Sequence, residues 1–241
     1  MPKSCIIIPA RLGSTRLPKK LMLPVRDKPL LYYTWKKAVE ADIGDVYIAA
    51  VDEEIVEEMM KFNAKSYKVP NNLNSGTDAI HYCYNKYLSG KYDYIINLQG
   101  DTPTIPIEYI KYVTEPLEFY DIGTLCFTTD FEEATKNQVV KVVLAKNRTN
   151  VNVYNALYFS RSAIPYNSTE YYHHVGIYSF TEASLNAFCD CEISILEKTE
   201  KLEQLRALEN NISIGVRIVD RKNIYGIDTA EDYEKFLKEI N

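Results

Sequence analysis

Ile6, Ile7 and Ile8 form an uninterrupted β-branched run that stops at Pro9, a pattern that predicts a strand buried on both faces, as in a parallel sheet. Val46–Ala50 reads as a second buried strand, Tyr67–Val69 as a short strand and Tyr94–Leu98 as the next, and helical periodicity fills the intervals between them. Leu30–Val39 reads as a helix, with Asp27 or Lys28 near its cap and Pro29 in its first turn. Asp52–Phe62 is acidic at its start and apolar at Ile55, Val56, Met59 and Met60, so it reads as an amphipathic helix. Thr77–Tyr87 and Ile107–Leu117 complete a βα alternation that implies a parallel sheet flanked by helices.

The rhythm changes after about Ile122. Ile122–Phe127, Val139–Ala145, Ala156–Phe159 and Val175–Phe180 read as strands with no long helices between them, which predicts a smaller mixed or antiparallel β-rich extension. Thr199–Leu208 is then predicted as a helix, Ser213–Val219 as a strand and Thr229–Ile240 as a closing helix. With no linker or internal repeat in view, the expectation is one α/β domain spanning residues 1–241. It comprises a βα-alternating half (1–120), a β-rich part (121–225) and a closing segment (226–241).

Length and charge narrow the class. A chain of 241 residues has ample core, and a net charge of −5 argues against a nucleic-acid-binding surface. No apolar run approaches a membrane span, and Met1-Pro2-Lys3-Ser4 leads straight into the first strand without a signal-peptide pattern. The five cysteines include no CxxC pair, so reduced thiols in the cytoplasm are expected. Tyrosine is abundant, with 20 residues, and its pattern points to no function.

Against this acidic background, the loop after the first strand carries Arg11, Arg16, Lys19 and Lys20 around Gly13, Ser14 and Thr15. The carboxyl end of a parallel strand is where open α/β sheets bind ligands, so four cations there point to a polyanion such as a nucleoside triphosphate. Gly13 would permit close backbone approach, and Ser14 and Thr15 would donate to phosphate oxygens. The loop is neither a P-loop nor a dinucleotide fingerprint; a plain solvated loop is the competing reading.

Asp101, in Gln99-Gly100-Asp101, ends another strand facing the same crevice. A carboxylate there suits Mg²⁺, or belongs simply to a turn. Ser75 either caps the helix that follows it or meets the nucleotide. Thr229 can cap the closing helix with Asp232, and Asp228 becomes a second metal ligand if the fold returns it to Asp101.

Taken together, the blocks Ile7–Lys20, Ser75–Asp78, Asn97–Asp101, Val140–Val143, Ala156–Pro165, His173–Tyr178, Leu202–Leu208 and Gly226–Asp232 resemble the CMP-Kdo synthetases (3-deoxy-manno-octulosonate cytidylyltransferases) nearly end to end. The resemblance implies a Rossmann-like nucleotidyltransferase fold with a mainly parallel mixed sheet, in which 1–120 is the nucleotide-binding half and 121–225 the sugar-binding and dimerising part. It also implies Mg²⁺-dependent transfer of CMP from CTP to an acidic 3-deoxy sugar for lipopolysaccharide or another surface glycan, and a homodimer. By resemblance, Arg11, Lys20, Asp101 and Asp228 are catalytic, and Asp101 and Asp228 hold the metal. Pro9, Ala10, Ser14, Arg16, Ser75 and Gln99 join Arg11 and Lys20 around the nucleotide. Gln99, Arg161, His174, Tyr178, Glu203 and Gln204 form the sugar pocket, with Arg161 or His174 meeting the sugar carboxylate. Thr102 stands where the family usually has glutamate, and His173 and Thr181 stand where it usually has arginine. Those departures leave open Kdo, 8-amino-Kdo or a sialic-type acid as acceptor. A non-catalytic nucleotide-binding regulator is the alternative of another class.

Overall fold

The computed structural model describes residues 2–14, 16–146 and 152–240, which divide into two compact units, residues 1–111 with 223–241, and residues 112–222. The first boundary falls in the last turn of the helix over Ile107–Tyr112.

The first unit is built on strand β1 (Ser4–Ala10), whose residues Cys5 to Ile8 are wholly buried. The strand runs through Pro9 rather than stopping there. Its pairing with the neighbour on one side ends at Ile7, so the missing Pro9 amide interrupts no bond on that side. A small hairpin follows, β2 (Pro24–Val25) and β3 (Lys28–Pro29), turned by Arg26 at φ 54°. Helix α1 (Leu30–Glu40) therefore starts after Pro29, which occupies the extended cap position instead of the first turn.

Strand β4 (Gly44–Ala50), helix α2 (Glu53–Met60), strand β5 (Lys65–Lys68), helix α3 (Gly76–Tyr87) and strand β6 (Tyr94–Leu98) continue the alternation. The strands lie in the order β5-β4-β1-β6, all parallel; β1, most of β4 and most of β6 are buried as expected, whereas β5 is a part-exposed edge strand. The tyrosines acquire a structural account here. Tyr67 on the outer strand stacks on Tyr87 at 4.4 Å and lies 5.7 Å from Tyr47, covering the sheet with aromatic surface. The expected helix over 107–117 is shorter: α4 (Ile107–Tyr112) ends and a 3₁₀ turn follows over Glu115–Glu118, because Pro116 cannot continue an α-helical ladder.

The second unit begins with β7 (Ile122–Thr129), the short helix α5 (Phe131–Ala134), β8 (Lys141–Lys146), β9 (Val153–Ser160) and β10 (Tyr171–Phe180). Helices α6 (Glu182–Asp190), α7 (Ile195–Glu200) and α8 (Gln204–Glu209) and strand β11 (Ile214–Ile218) complete it. Its strands run β10-β7-β11-β9-β8, mostly antiparallel, and a single His173–Lys141 pair brings β8 back to β10. The single helix expected over 199–208 is split in two. Lys201 takes φ 56° at the end of α7, a left-handed residue that reverses the chain. Helix α6 was not anticipated, although Thr181 and Ser184 form a capping box at its start.

The chain then re-enters the first unit and ends in α9 (Ala230–Ile240). Phe236 of that helix packs with Val25, Leu30 and Ile227 in a small core that fixes the closing segment onto the hairpin. Among the described residues no helix is long and apolar enough to cross a membrane, and all five cysteines are free.

Candidate active site

Within the first unit, a cleft of about 350 Å³ opens at the carboxyl ends of β1 and β6, within the roughly 300–1,000 Å³ usual for small-molecule sites. Two glycines shape it. A Cβ at Gly76 would sit 3.2 Å from Pro9 Cγ, and one at Gly100 would sit 3.1 Å from the Pro9 carbonyl oxygen. A side chain at either position would press on Pro9 and displace it by a few tenths of an ångström, so glycine lets the start of α3 and the end of β6 pack close to it. Gly13, by contrast, faces open space, so packing does not demand a glycine there.

All ten residues expected around the nucleotide and metal, Pro9, Ala10, Arg11, Ser14, Arg16, Lys20, Ser75, Gln99, Asp101 and Asp228, line this one cleft. Lys19 instead pairs outward with Glu54 at 2.8 Å, and Thr15 lies outside the described residues. The loop is anchored by the Leu12 amide, which donates to Asp52 Oδ2 at 2.7 Å. Nothing in the sequence marks Asp52 for that task, because it reads only as an acidic helix start.

Ser75 does what a cap does. The Asp78 amide donates to Ser75 Oγ at 3.1 Å and the Ser75 amide to Asp78 Oδ2 at 3.0 Å. The same residue borders the cleft, so the positive end of the α3 dipole faces the space an anion would fill. Gln99 is oriented by a buried relay, donating to Asn97 Oδ1 at 3.1 Å while Asn97 donates to Thr77 Oγ1 at 3.1 Å.

The acidic pair meets on one nitrogen. Lys20 Nζ donates to Asp101 Oδ2 and, at 2.8 Å, to Asp228 Oδ1, and Arg16 Nη2 lies 3.0 Å from Asp228 Oδ2. Backbone bonding returns Asp228 to this place: the Ile227 amide donates to the Asp101 carbonyl at 2.8 Å. Asp232 Oδ2 receives the Asp228 and Thr229 amides, and Thr229 Oγ1 receives the Asp232 amide, so the expected cap also fixes the aspartate. Burial alone would lower the Lys20 pKa, but Asp101 and Asp228 outweigh it and raise it. Burial likewise opposes ionisation of Asp228, yet Lys20 and Arg16 hold its pKa below the usual carboxylate value.

In the second unit, His174 is buried, with Nε2 2.9 Å from Thr124 Oγ1 and its ring 5.4 Å from that of Tyr178. Burial and then the neighbouring His173 push its pKa down to about 3, so the ring is neutral. Tyr178 is buried as well, and burial and then the charge of Glu203 raise its phenol. Glu203 and the buried Gln204 open α8.

Arg161 is drawn into the framework. Its guanidinium nitrogens donate to the carbonyls of Glu200 at 2.9 Å, Asn137 at 3.1 Å and Lys201 at 3.3 Å. Of the two side chains expected at a sugar carboxylate, one is thus neutral and the other is engaged by backbone. The buried Lys141 was not singled out from sequence; it donates to the carbonyls of Val139 at 2.6 Å and Lys136 at 3.2 Å, and to that of Arg161.

The three unusual positions also find local uses. Thr102 Oγ1 reaches Asp101 Oδ1 at 3.4 Å, His173 packs on Phe127 with centroids 4.6 Å apart, and Thr181 caps α6.

A family model described as cytidylyltransferase matches residues 5–218. The chain is 38% identical over 237 residues to the 3-deoxy-manno-octulosonate cytidylyltransferase of Rhodospirillum rubrum, covering 95% of this chain and 92% of that one. Its counterpart from Elusimicrobium minutum is 39% identical over 252 residues, covering 100% and 99%. The chain belongs to the CMP-Kdo synthetase family.

The fold agrees. A solved CMP:2-keto-3-deoxy-manno-octonic acid synthetase complexed with CTP superposes with a TM-score of 0.90 at 32% identity, covering 99% of this chain and 98% of that one. Membership makes the protein a nucleotidyltransferase enzyme with a mixed α/β nucleotidyltransferase fold, as the motif blocks imply.

Proposed function

We propose that this enzyme transfers CMP from CTP to the anomeric hydroxyl of a 3-deoxy ulosonic acid, Kdo or a close analogue, and releases pyrophosphate. The observation that carries the reading is the convergence of Lys20, Asp101 and Asp228 at the head of a basic cleft, in a chain whose relatives bear that activity in their names.

Arg11, Arg16 and Lys20 would bind the triphosphate and offset charge on the departing pyrophosphate, while the α3 amino terminus adds its dipole. Pro9, Ala10, Ser14 and Ser75 would border the nucleotide. Gln99, held by its relay to Asn97, would orient a sugar hydroxyl toward the α-phosphorus. Alignment and charge stabilisation together carry such catalysis.

Asp101 and Asp228 fit a magnesium ion, because two oxygen-only carboxylates converge on a single cationic atom. Bound there, it would supply charge stabilisation at the α-phosphate. His174, Tyr178, Glu203 and Gln204 are assigned to the acceptor through hydrogen bonds. Arg161 is assigned there as well, its position set by α7. A cytoplasmic homodimer is the setting we favour; five free thiols and the exposed apolar Leu157 and Ile195 support it.

Pyrophosphate release from CTP with Kdo, 8-amino-Kdo and a sialic acid tests the proposal. Release is expected with a 3-deoxy ulosonic acid, and Asp101→Asn or Asp228→Asn is expected to lower turnover by roughly a hundredfold or more without unfolding the protein. Binding of CTP with no release from any acid would favour the regulatory alternative.

A further inference from the structure

The basic loop and the acidic pair serve each other before any substrate is considered. Each of the four carboxylate oxygens on Asp101 and Asp228 has a partner, and cations supply three of them. Lys20 Nζ takes Asp101 Oδ2 and Asp228 Oδ1, Arg16 takes Asp228 Oδ2, and the Thr102 hydroxyl takes Asp101 Oδ1. The Lys20 side chain is only 14% exposed, whereas that of Arg16 is 65% exposed. Solvent therefore weakens the Arg16 contact far more than the Lys20 contact.

Lys20 also lines the cleft assigned to the triphosphate, so one ammonium has two sets of acceptors in the same cleft. We propose that Lys20 is a resident counter-ion of the acidic pair, which a divalent cation must displace. Phosphate binding draws the ammonium away and opens Asp101 and Asp228 to the metal. The inference rests on the reading that these two carboxylates hold the metal, and it adds an order of events: the nucleotide readies the metal site by removing its internal cation. An ammonium and a small dication cannot share the same carboxylate lone pairs, and two carboxylates left without a cation repel each other.

The test is the affinity for Mn²⁺ alone, read by the electron paramagnetic resonance of free Mn²⁺, with no nucleotide or sugar present. Lys20→Met and Lys20→Gln are each expected to bind Mn²⁺ roughly tenfold more tightly than the wild-type chain, because the competing charge is gone. Lys20→Arg keeps a cation and is expected to stay near the wild type. CTP binding measured in EDTA is expected to move the opposite way, weakening by about tenfold in Lys20→Met. Circular dichroism selects the variants that fold.

If Mn²⁺ binds no more tightly to Lys20→Met and Lys20→Gln, while Asp101→Asn abolishes its binding, counter-ion exchange is overturned and the metal reading stands. If neither Asp101→Asn nor Asp228→Asn changes Mn²⁺ binding, the metal reading fails and this inference falls with it.

Discussion

His173 and His174 sit side by side on β10, and burial is the main cause that drives His173 down to about 4 and His174 to about 3 from an ordinary 6.5. In the unfolded chain both rings take up protons as pH falls through about 6.5, while the folded chain keeps them neutral to much lower pH. Their depressed values therefore favour the folded state fully only above the unfolded pKa, and that stability is lost as pH falls. The two together remove up to about 3 kcal/mol per pH unit between pH 6 and 4. Urea denaturation at pH 7 and pH 5 is expected to show a markedly lower midpoint at pH 5. His174→Gln, which cannot titrate but can still bond Thr124, is expected to flatten that dependence; an unchanged slope would contradict the buried-histidine account.

Helix α7 shows how an element with no buried side chains is nevertheless held in place. Glu197 receives both Arg206 Nε and Arg206 Nη2 at 2.8 Å, and the guanidinium lies 4.8 Å from the Phe188 ring centroid on α6. The pair is nearly sealed, with side-chain exposures of 4% for Arg206 and 12% for Glu197. Removing Arg206 leaves Glu197 unpaired with little access to water, so Arg206→Met is expected to cost about 3 kcal/mol by urea denaturation. Arg206→Met combined with Glu197→Leu should recover much of that loss, because no charge is then stranded. The same helix also holds Ser160 Oγ and the Arg161 amide through Glu200, so Arg161 depends on its docking.

At the scale of the whole molecule, the chain leaves its first unit near residue 111 and returns at 223, and the closing segment delivers Asp228. That delivery relies on Phe236, which is 4% exposed in the core shared with Val25, Leu30 and Ile227. Phe236→Ala is expected to destabilise the first unit by about 3 kcal/mol. It should also reduce turnover more than CTP affinity, since the cation loop before α1 remains while Asp228 loosens. Parallel melting curves and steady-state rates check both parts; turnover that survives the loss of packing would show that Asp228 is held by its local cap alone.

Much of this was legible in the chain itself. Uninterrupted apolar runs disclose buried parallel strands because a strand covered on both faces has no polar positions to show. Ser75 with Asp78, and Thr229 with Asp232, announce helix starts because capping is a contact between near neighbours. The motif blocks also identified the family and named ten of the residues that line the cleft.

Other features depended on the tertiary structure. The meeting of Asp101 with Asp228 crosses more than a hundred positions and is made by backbone bonds that no local pattern encodes. The same holds for Lys20 between them, Asp52 under the loop, and Arg161 held on three carbonyls. Breaks at Pro116 and Lys201 divided helices whose side-chain periodicity ran on. Periodicity and caps are properties of adjacent residues, so the sequence displays them directly. Which distant charges share an acceptor is settled only when the core folds.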